Sequence, residues 1–461
     1  MKKKKTIISI ITACFIVLQC MFGVACDGKD KVKAKVDTIN FLCYWFPPEI
    51  RPDLGYVNAN VDEVNAALKQ IKDCGMDVVV FNEWQNGRIG SEVSNKYLEL
   101  CEANGLKVSL HLRNNYIDDG GMQGDGELYE TDFSQSKYLD NIYYIAMGDE
   151  PPYDGIATFA EYIPKFEEHF NVPFFINLFP TYMSSDLLSG HTYAEYVEHY
   201  CNTILKKLKG ERWLSVDHYP YLGGVASDQT GMTPTYLENL ETMRYAVKDL
   251  DNAHLNLDIM TCSMTDRRLP ELGDIRQQVY VGLLYGVEQF TVYTYGFPRG
   301  NPYHVDGTMA MVDESTGEPT QIYYDVQTVI GEIKQFEDVY LSYEYNGTKT
   351  FLAGVSYSQT HKNAAFRYLK HQVQSFDEVD SVFATQDTVV SEFFNDDGDK
   401  AYLMVNYADP LQKKYDDVTV KFKEAKQVDV IIKGVTKTVD VVNGCIQIRL
   451  EPGEGCMFIP R

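Results

Sequence analysis

The sequence predicts an α/β protein, a (β/α)8 TIM barrel followed by a small C-terminal antiparallel β-sandwich domain. Three observations carry this prediction. Apolar runs of strand length alternate with amphipathic helical runs as far as about residue 345. No glycine fingerprint follows the first strand, which sets aside a doubly wound open sheet. Beyond about residue 350 the texture changes to short alternating runs separated by turn signals.

The first 25 residues belong to neither domain. A basic tip, an apolar stretch of signal-peptide length and small residues precede Cys26 in "MKKKKTIISIITACFIVLQCMFGVAC". "GVAC" resembles a bacterial lipobox, which implies cleavage before Cys26 and a lipid on its sulfur; an uncleaved anchor helix is the competing reading. Either way the body is expected outside the cytoplasm, in the cell envelope, with residues 26–37 as a polar, lysine-rich tether.

The barrel is assigned to residues 38–345. "TINFLCYWF" reads as the first strand, "VDEVNAALKQIKDCG" as a helix closed by glycine and "MDVVVFNEW" as the second strand. "SEVSNKYLELCEANG" and "LKVSLHLRN" repeat the unit, and "NIYYIAMGDEPP", "VPFFINLFP", "WLSVDHYPY", "HLNLDIMTCS" and "QFTVYTYGF" supply strands four to eight. The intervening helices are "GIATFAEYIPKFEEHF", "YAEYVEHYCNTILKKLKG", "TYLENLETMRYAVKDL" and "DIRQQVYVGLLYGV"; "TQIYYDVQTVIGEIKQFEDVYL" is the last. Runs such as "KAYLMVNYAD" and "DVTVKFK", with turns at "NDDGDK" and "VNG", place the β domain at residues 350–461.

Composition narrows the partners. Formal net charge is −24, and loss of the four leader lysines, Lys2 to Lys5, takes it to −28. Such a field repels phosphate backbones and argues against nucleic acid. Neutral sugars are indifferent to it, and the 33 tyrosines provide rings on which sugar faces stack, although a tyrosine-rich core accounts for them equally. Of ten cysteines, Cys14, Cys20 and Cys26 fall in the leader region; the other seven show no CxxC pair and read as buried thiols. Neither a zinc motif nor a phosphate-binding glycine loop is present, so no metal and no cofactor are expected.

In a barrel of this kind the active site is built at the C-terminal ends of the strands. Those ends carry Tyr44, Trp45 and Glu49; Asn82, Glu83 and Trp84; His111, Arg113 and Asn114; Asp149 and Glu150; Asn177; Asp217, His218 and Tyr219; Thr261, Cys262 and Ser263; and Tyr293 and Tyr295. The adjacent Asp149 and Glu150 stand out, since a neighbouring anion raises the pKa of a carboxylic acid and keeps it protonated. That is the state a general acid needs to protonate a glycosidic oxygen. The competing reading makes "GDEPP" a helix start, with acidic side chains near exposed N–H groups.

A glutamate ending strand four, the barrel, a trailing β domain, "DHYPY" and "GEPTQIYYDV" together resemble clan A glycoside hydrolases, in the style of family 42 β-galactosidases. The resemblance covers about residues 38 to 345 and implies a glycosidase in which Glu150 is the acid/base. Asp149 stands where the clan usually has asparagine. The clan's nucleophile is a glutamate ending strand seven, and here the sequence departs: Asp258 reads as too early, Asp266 needs the loop to fold back, and Glu271 falls in the next helix.

Three arrangements follow. An inverting enzyme uses Glu150 with a more distant carboxylate, Asp217 first and Glu83 next. A substrate-assisted one uses the Asp149–Glu150 pair, as "GDE" in family 20 hexosaminidases resembles in three residues. In the third, catalysis is lost and a carbohydrate-binding surface lipoprotein remains. The expected site is catalytic Glu150, Asp149 and Asp217, with Trp45, Glu83, His111, Arg113, Asn177, Tyr219 and Tyr295 binding sugar. Each has a plainer alternative: Asp217 as a helix cap or ion-pair partner, the rings as barrel-top packing, and one of His111 and Arg113 turned outward. His218 reads as a hydrogen-bond partner rather than a metal ligand.

Overall fold

The computed structural model describes residues 36–45, 61–82, 92–111, 138–224, 227, 229–297, 308–313, 315–354 and 364–461. Eight parallel strands close into a barrel: β1 (Asn40–Trp45), β2 (Val78–Asn82), β3 (Lys107–His111), β4 (Ile142–Asp149), β5 (Phe174–Leu178), β6 (Arg212–Val216), β7 (Ala253–Met260) and β8 (Gln289–Tyr293). The order is sequential, with β8 pairing back onto β1 through Asn40↔Gln289 to Cys43↔Val292. Around it lie α1 (Val61–Asp73), α2 (Glu92–Ala103), α3 (Ile156–Ala160), α4 (Ile163–His169), α5 (Tyr193–Thr203), α6 (Tyr236–Val247), α7 (Leu272–Leu284), α8 (Gln321–Lys334) and α9 (Glu337–Leu341).

Two helices expected as single runs are each divided. Between α3 and α4 Pro164 has no N–H to donate and its ring would meet the carbonyl of Ala160, so the chain turns and restarts with the proline in the first turn of α4. The last helix breaks at Gln335–Phe336 before α9. Between β3 and β4 a 3-10 turn spans Leu139–Asn141, and residues 112–137 lie outside the described residues.

Strand alternation sorts the barrel into two layers. Phe41, Cys43, Val79, Leu214, Val216, Leu257, Phe290 and Val292 face the helices in one continuous core. Leu42, Val78, Val80, Tyr144, Ala146, Phe175 and Trp213 fill the interior. Through that interior runs a ladder of polar groups. Asn40 donates to Tyr143 Oη (2.9 Å), Tyr143 to Gln289 Oε1 (2.9 Å) and Gln289 to Asn256 Oδ1 (3.1 Å). Asn256 donates in turn to Ser215 Oγ and Asp258 Oδ1, both at 2.8 Å, and Ser215 to Asn177 Oδ1 (2.7 Å). Burying these side chains is tolerable because each finds a partner, and the connected set fixes their rotamers.

The C-terminal region is a β-sandwich. Strands β9 (Glu344–Phe351), β10 (Val379–Ala384), β11 (Thr388–Phe394), β12 (Lys400–Asn406), β13 (Asp416–Phe422), β14 (Gln427–Ile432), β15 (Val435–Asp440), β16 (Cys445–Leu450) and β17 (Gly455–Pro460) form two sheets. One has the order β9-β11-β12-β17-β14-β15 and the other β10-β13-β16, with Val382, Val390, Tyr402, Met404, Val420, Ile446 and Phe458 among the residues between them.

Helix α7 joins the two parts and is buried on every side, Asp274 through Leu284 without interruption. Its charged and amide side chains are bonded, while the buried Tyr280 hydroxyl has no partner among the described residues. Gln277 Nε2 donates to the carbonyls of Asn406 (3.1 Å) and Ala408 (2.9 Å), Arg276 forms a two-pronged pair with Glu332, and Arg268 bridges Asp274 and Asp409. Residues 35–461 form one compact unit. The seven cysteines in it are free thiols, six of them buried.

Candidate active site

The site is assembled by strand ends, and the decisive local feature is in β4. Ala146 pairs with Phe175, but the next partners are Gly148 with Ile176 and Asp149 with Asn177, so Met147 is an extra residue in the ladder. Such a bulge reverses the facing of everything after it. Ala146 and Asp149 therefore both line the barrel interior, together with Phe175 and Asn177. Gly148 is left facing the helices, where a Cβ would stand 2.6 Å from the Phe159 ring of α3; only glycine fits there. Glu150 then takes a left-handed backbone conformation (φ 49°), and its N–H donates to the Asn177 carbonyl at 2.8 Å.

Asp149 shares a small open cleft with Tyr44, Val80, Tyr144, Ala146, Gly148, Phe175, Asn177, Asp258 and Thr291. Asp258 is 8% exposed and forms part of the floor. Burial pushes its carboxyl up to about 8; the hydrogen bond from Asn256 opposes this, and the charges of Asp149 and Glu150 add to it. Asp217, just past β6, is also raised well above the carboxylate range. Burial is the largest cause, followed by the charges of Glu150, Asp149 and Asp258 in that order. Its Oδ1 is buried and has no hydrogen-bond partner among the described residues. Four carboxyl groups thus lie within electrostatic reach of one another at one end of the barrel.

A wall of packed aromatic rings continues from Tyr44, which lines the cleft. Tyr44 and Tyr293 pack at 5.5 Å between centroids, and Tyr293 stacks on Tyr219, also at 5.5 Å. Tyr295 is not part of this wall. Strand β8 ends at Tyr293, alternation lapses, and Tyr295 joins the layer between barrel and helices, donating its hydroxyl to Gln70 Oε1 at 2.5 Å. His218 is fully buried, with Nδ1 2.9 Å from Asn239 Oδ1 and Nε2 2.7 Å from Thr233 Oγ1. Burial drives its pKa down to about 3, so it is a neutral structural ring.

Of the residues the sequence singles out, the structure brings together Asp149, Glu150, Asn177, Asp217 and Tyr219 and leaves Tyr295 behind the wall. Trp45 and His111 end β1 and β3, and their side chains lie outside the described residues, as do Glu83, Arg113 and Cys26 altogether. Sequence reading missed Asp258 as a member of the site. The signal was present: Asn256 and Asp258 alternate with Leu255, Leu257 and Ile259, a period of two with its polar face inward.

Clustered carboxyls, two of them with raised pKa, beside aromatic rings suit proton transfer to and from a sugar oxygen. Among the described residues no group of three His, Cys, Asp or Glu is placed to hold a metal ion.

No family model matches the chain, and no curated protein sequence matches it. Solved structures do. A GH27 β-L-arabinopyranosidase from Geobacillus stearothermophilus is similar with a TM-score of 0.50 and 11% identity over 91% of this chain and 95% of that one. An endo-β-1,4-mannanase from Thermotoga petrophila gives 0.38 and 10% over 90% and 97%. A GH99 endo-α-mannosidase from Bacteriodes thetaiotaomicron gives 0.39 and 12% over 65% and 97%. At 11% identity the likeness to the arabinopyranosidase is one of fold alone, and all three of these neighbours are glycoside hydrolases.

Proposed function

We propose that the protein is a glycoside hydrolase cleaving O-glycosidic bonds of an oligo- or polysaccharide outside the cytoplasm. The observation that carries this is the half-buried Asp217 carboxyl, within reach of the charges of Glu150 and Asp149 and with its buried Oδ1 unpartnered among the described residues. Burial and then the Glu150 charge raise the pKa of Asp217, which favours its protonated form beside Glu150. This pair is the general acid, delivering the proton to the leaving oxygen; burial and the Glu150 charge keep it on Asp217 until then. The sequence resemblance assigns the acid/base role to Glu150 alone, and the pair shares it. Asp149, in the cleft wall beside Asn177, is the second carboxylate, and the Tyr44–Tyr293–Tyr219 wall receives the sugar ring. The resemblance to clan A, in the style of family 42, supports the same reaction class.

The test is a panel of 4-nitrophenyl glycosides incubated with the wild type and with Asp149→Asn, with the first-formed anomer read by proton NMR. Nitrophenol release by the wild type alone is the expected result. Retained configuration makes Asp149 a nucleophile, and inverted configuration makes it the base for a water. Retention on a polysaccharide gel without turnover of any substrate would leave a carbohydrate-binding protein instead.

The leader supports a lipid anchor on Cys26 that holds the barrel at the membrane surface. Cys26→Ala is expected to move the protein from the membrane fraction to the soluble one; unchanged fractionation speaks against the lipid.

A further inference from the structure

Tyr182, in the loop after β5, is 41% exposed, yet it is held on several sides. The Arg267 guanidinium lies over its ring at 5.1 Å, and the His218 ring meets it edge-on at 4.9 Å. Its hydroxyl accepts the Tyr219 N–H (3.3 Å) and approaches the Asp217 carbonyl (3.5 Å). The residue before it is pinned too. Thr181 N–H donates to Asn239 Oδ1 at 2.9 Å and Thr181 Oγ1 to Thr235 Oγ1 at 2.8 Å. Arg267 is in turn fixed by donating through Nε to the Tyr219 carbonyl (3.0 Å).

Single exposed aromatics are ordinary on protein surfaces. What sets this one apart is that a large ring has been immobilised beside the acid and still left open to solvent. A ring already ordered loses little entropy when a ligand covers it. Its position matters as well, because it touches the backbone of Asp217 and Tyr219 rather than the cleft floor, where Asp258 and Asn177 lie.

We propose that Tyr182 is the stacking platform for the sugar unit on the leaving-group side of the scissile bond. This rests on the reading of the Glu150–Asp217 pair as the acid: the departing oxygen must lie on the acid's side, and among the described residues Tyr182 is an exposed ring there. The ring takes the apolar face of a pyranose, and Arg267 behind it keeps the ring plane fixed.

The experiment compares two substrates that share a glycone and differ in what leaves. The fluorides of galactose, glucose, mannose and L-arabinose need no leaving-side sugar; the corresponding disaccharides do. Tyr182→Ala is expected to lower kcat/KM on the disaccharide by about 10–100-fold, mostly through KM, and to leave the fluoride within about twofold. Tyr182→Phe is expected to retain the disaccharide rate. Equal losses on both substrates, or none on either, would overturn the platform while leaving the hydrolase intact. If the wild type cleaves neither substrate, the hydrolase reading fails. Affinity electrophoresis on galactan, mannan and arabinan gels then decides the platform: retardation lost in Tyr182→Ala keeps it, and equal or absent retardation removes it.

Discussion

Asp217→Asn is expected to lower kcat by about 10^3-fold on a substrate with a sugar leaving group, in the range general acids contribute. The amide matches the carboxyl in size and fills the same half-buried space, so the fold is retained while the transferable proton is lost. A fluoride substrate, whose leaving group needs no proton, is expected to lose far less. The pH profile gives a second reading. Activity requires the acid protonated, so kcat/KM falls as pH rises through the pKa of the pair. Glu150 is the largest charge acting on Asp217. Removing that anion with Glu150→Gln lowers the pKa of Asp217, and the alkaline limb of the profile is expected to move to lower pH. An alkaline limb that stays in place in Glu150→Gln would mean that Asp217 does not carry the titrating proton.

Asp258→Asn is expected to have the opposite effects on stability and activity. The folded protein holds the Asp258 proton up to about pH 8, whereas an unfolded chain releases it near pH 4. The folded pKa is raised, so its stabilising contribution is complete below pH 4 and is lost as pH climbs to 8, after which it is flat. The wild type therefore bears a penalty of roughly a few kcal/mol at pH 8 that an amide does not. The Asn256 Nδ2 hydrogen bond to Asp258 Oδ1 has an acceptor in asparagine as well, so little packing is lost. Thermal unfolding is expected to show the variant equal to wild type at pH 4 and higher melting at pH 8, with reduced turnover because the floor of the cleft has changed. A melting difference that does not vary between pH 4 and 8 would sink the account.

The order of barrel strands was legible in the sequence because buried strands and amphipathic helices differ in period and length. What escaped is everything that depends on a neighbour's register. That Asp149 faces inward follows from one extra residue, Met147, and this is defined only against β5. That Asp258 belongs to the site follows from the same alternation that sorts every strand, but it lies two residues before the end of β7, and attention to strand ends passes over it. Tyr295 looked equivalent to Tyr293 by the same period of two, which holds only while the strand continues. Glycine 148 could be noticed in the sequence, but its reason, the Phe159 ring from a later helix, could not.

The burial of α7 has a consequence for how this architecture changes over time. Directly after the strand that carries Asp258 comes a helix whose whole circumference is claimed, one side by the barrel and the other by β12, β11 and β17. In most barrels the outward side of that helix meets water and drifts freely. Here each substitution answers to two partners, so the barrel and its appendage are constrained as a single piece. New specificities have to arise in the loops at the strand ends rather than by exchanging the sandwich for another module.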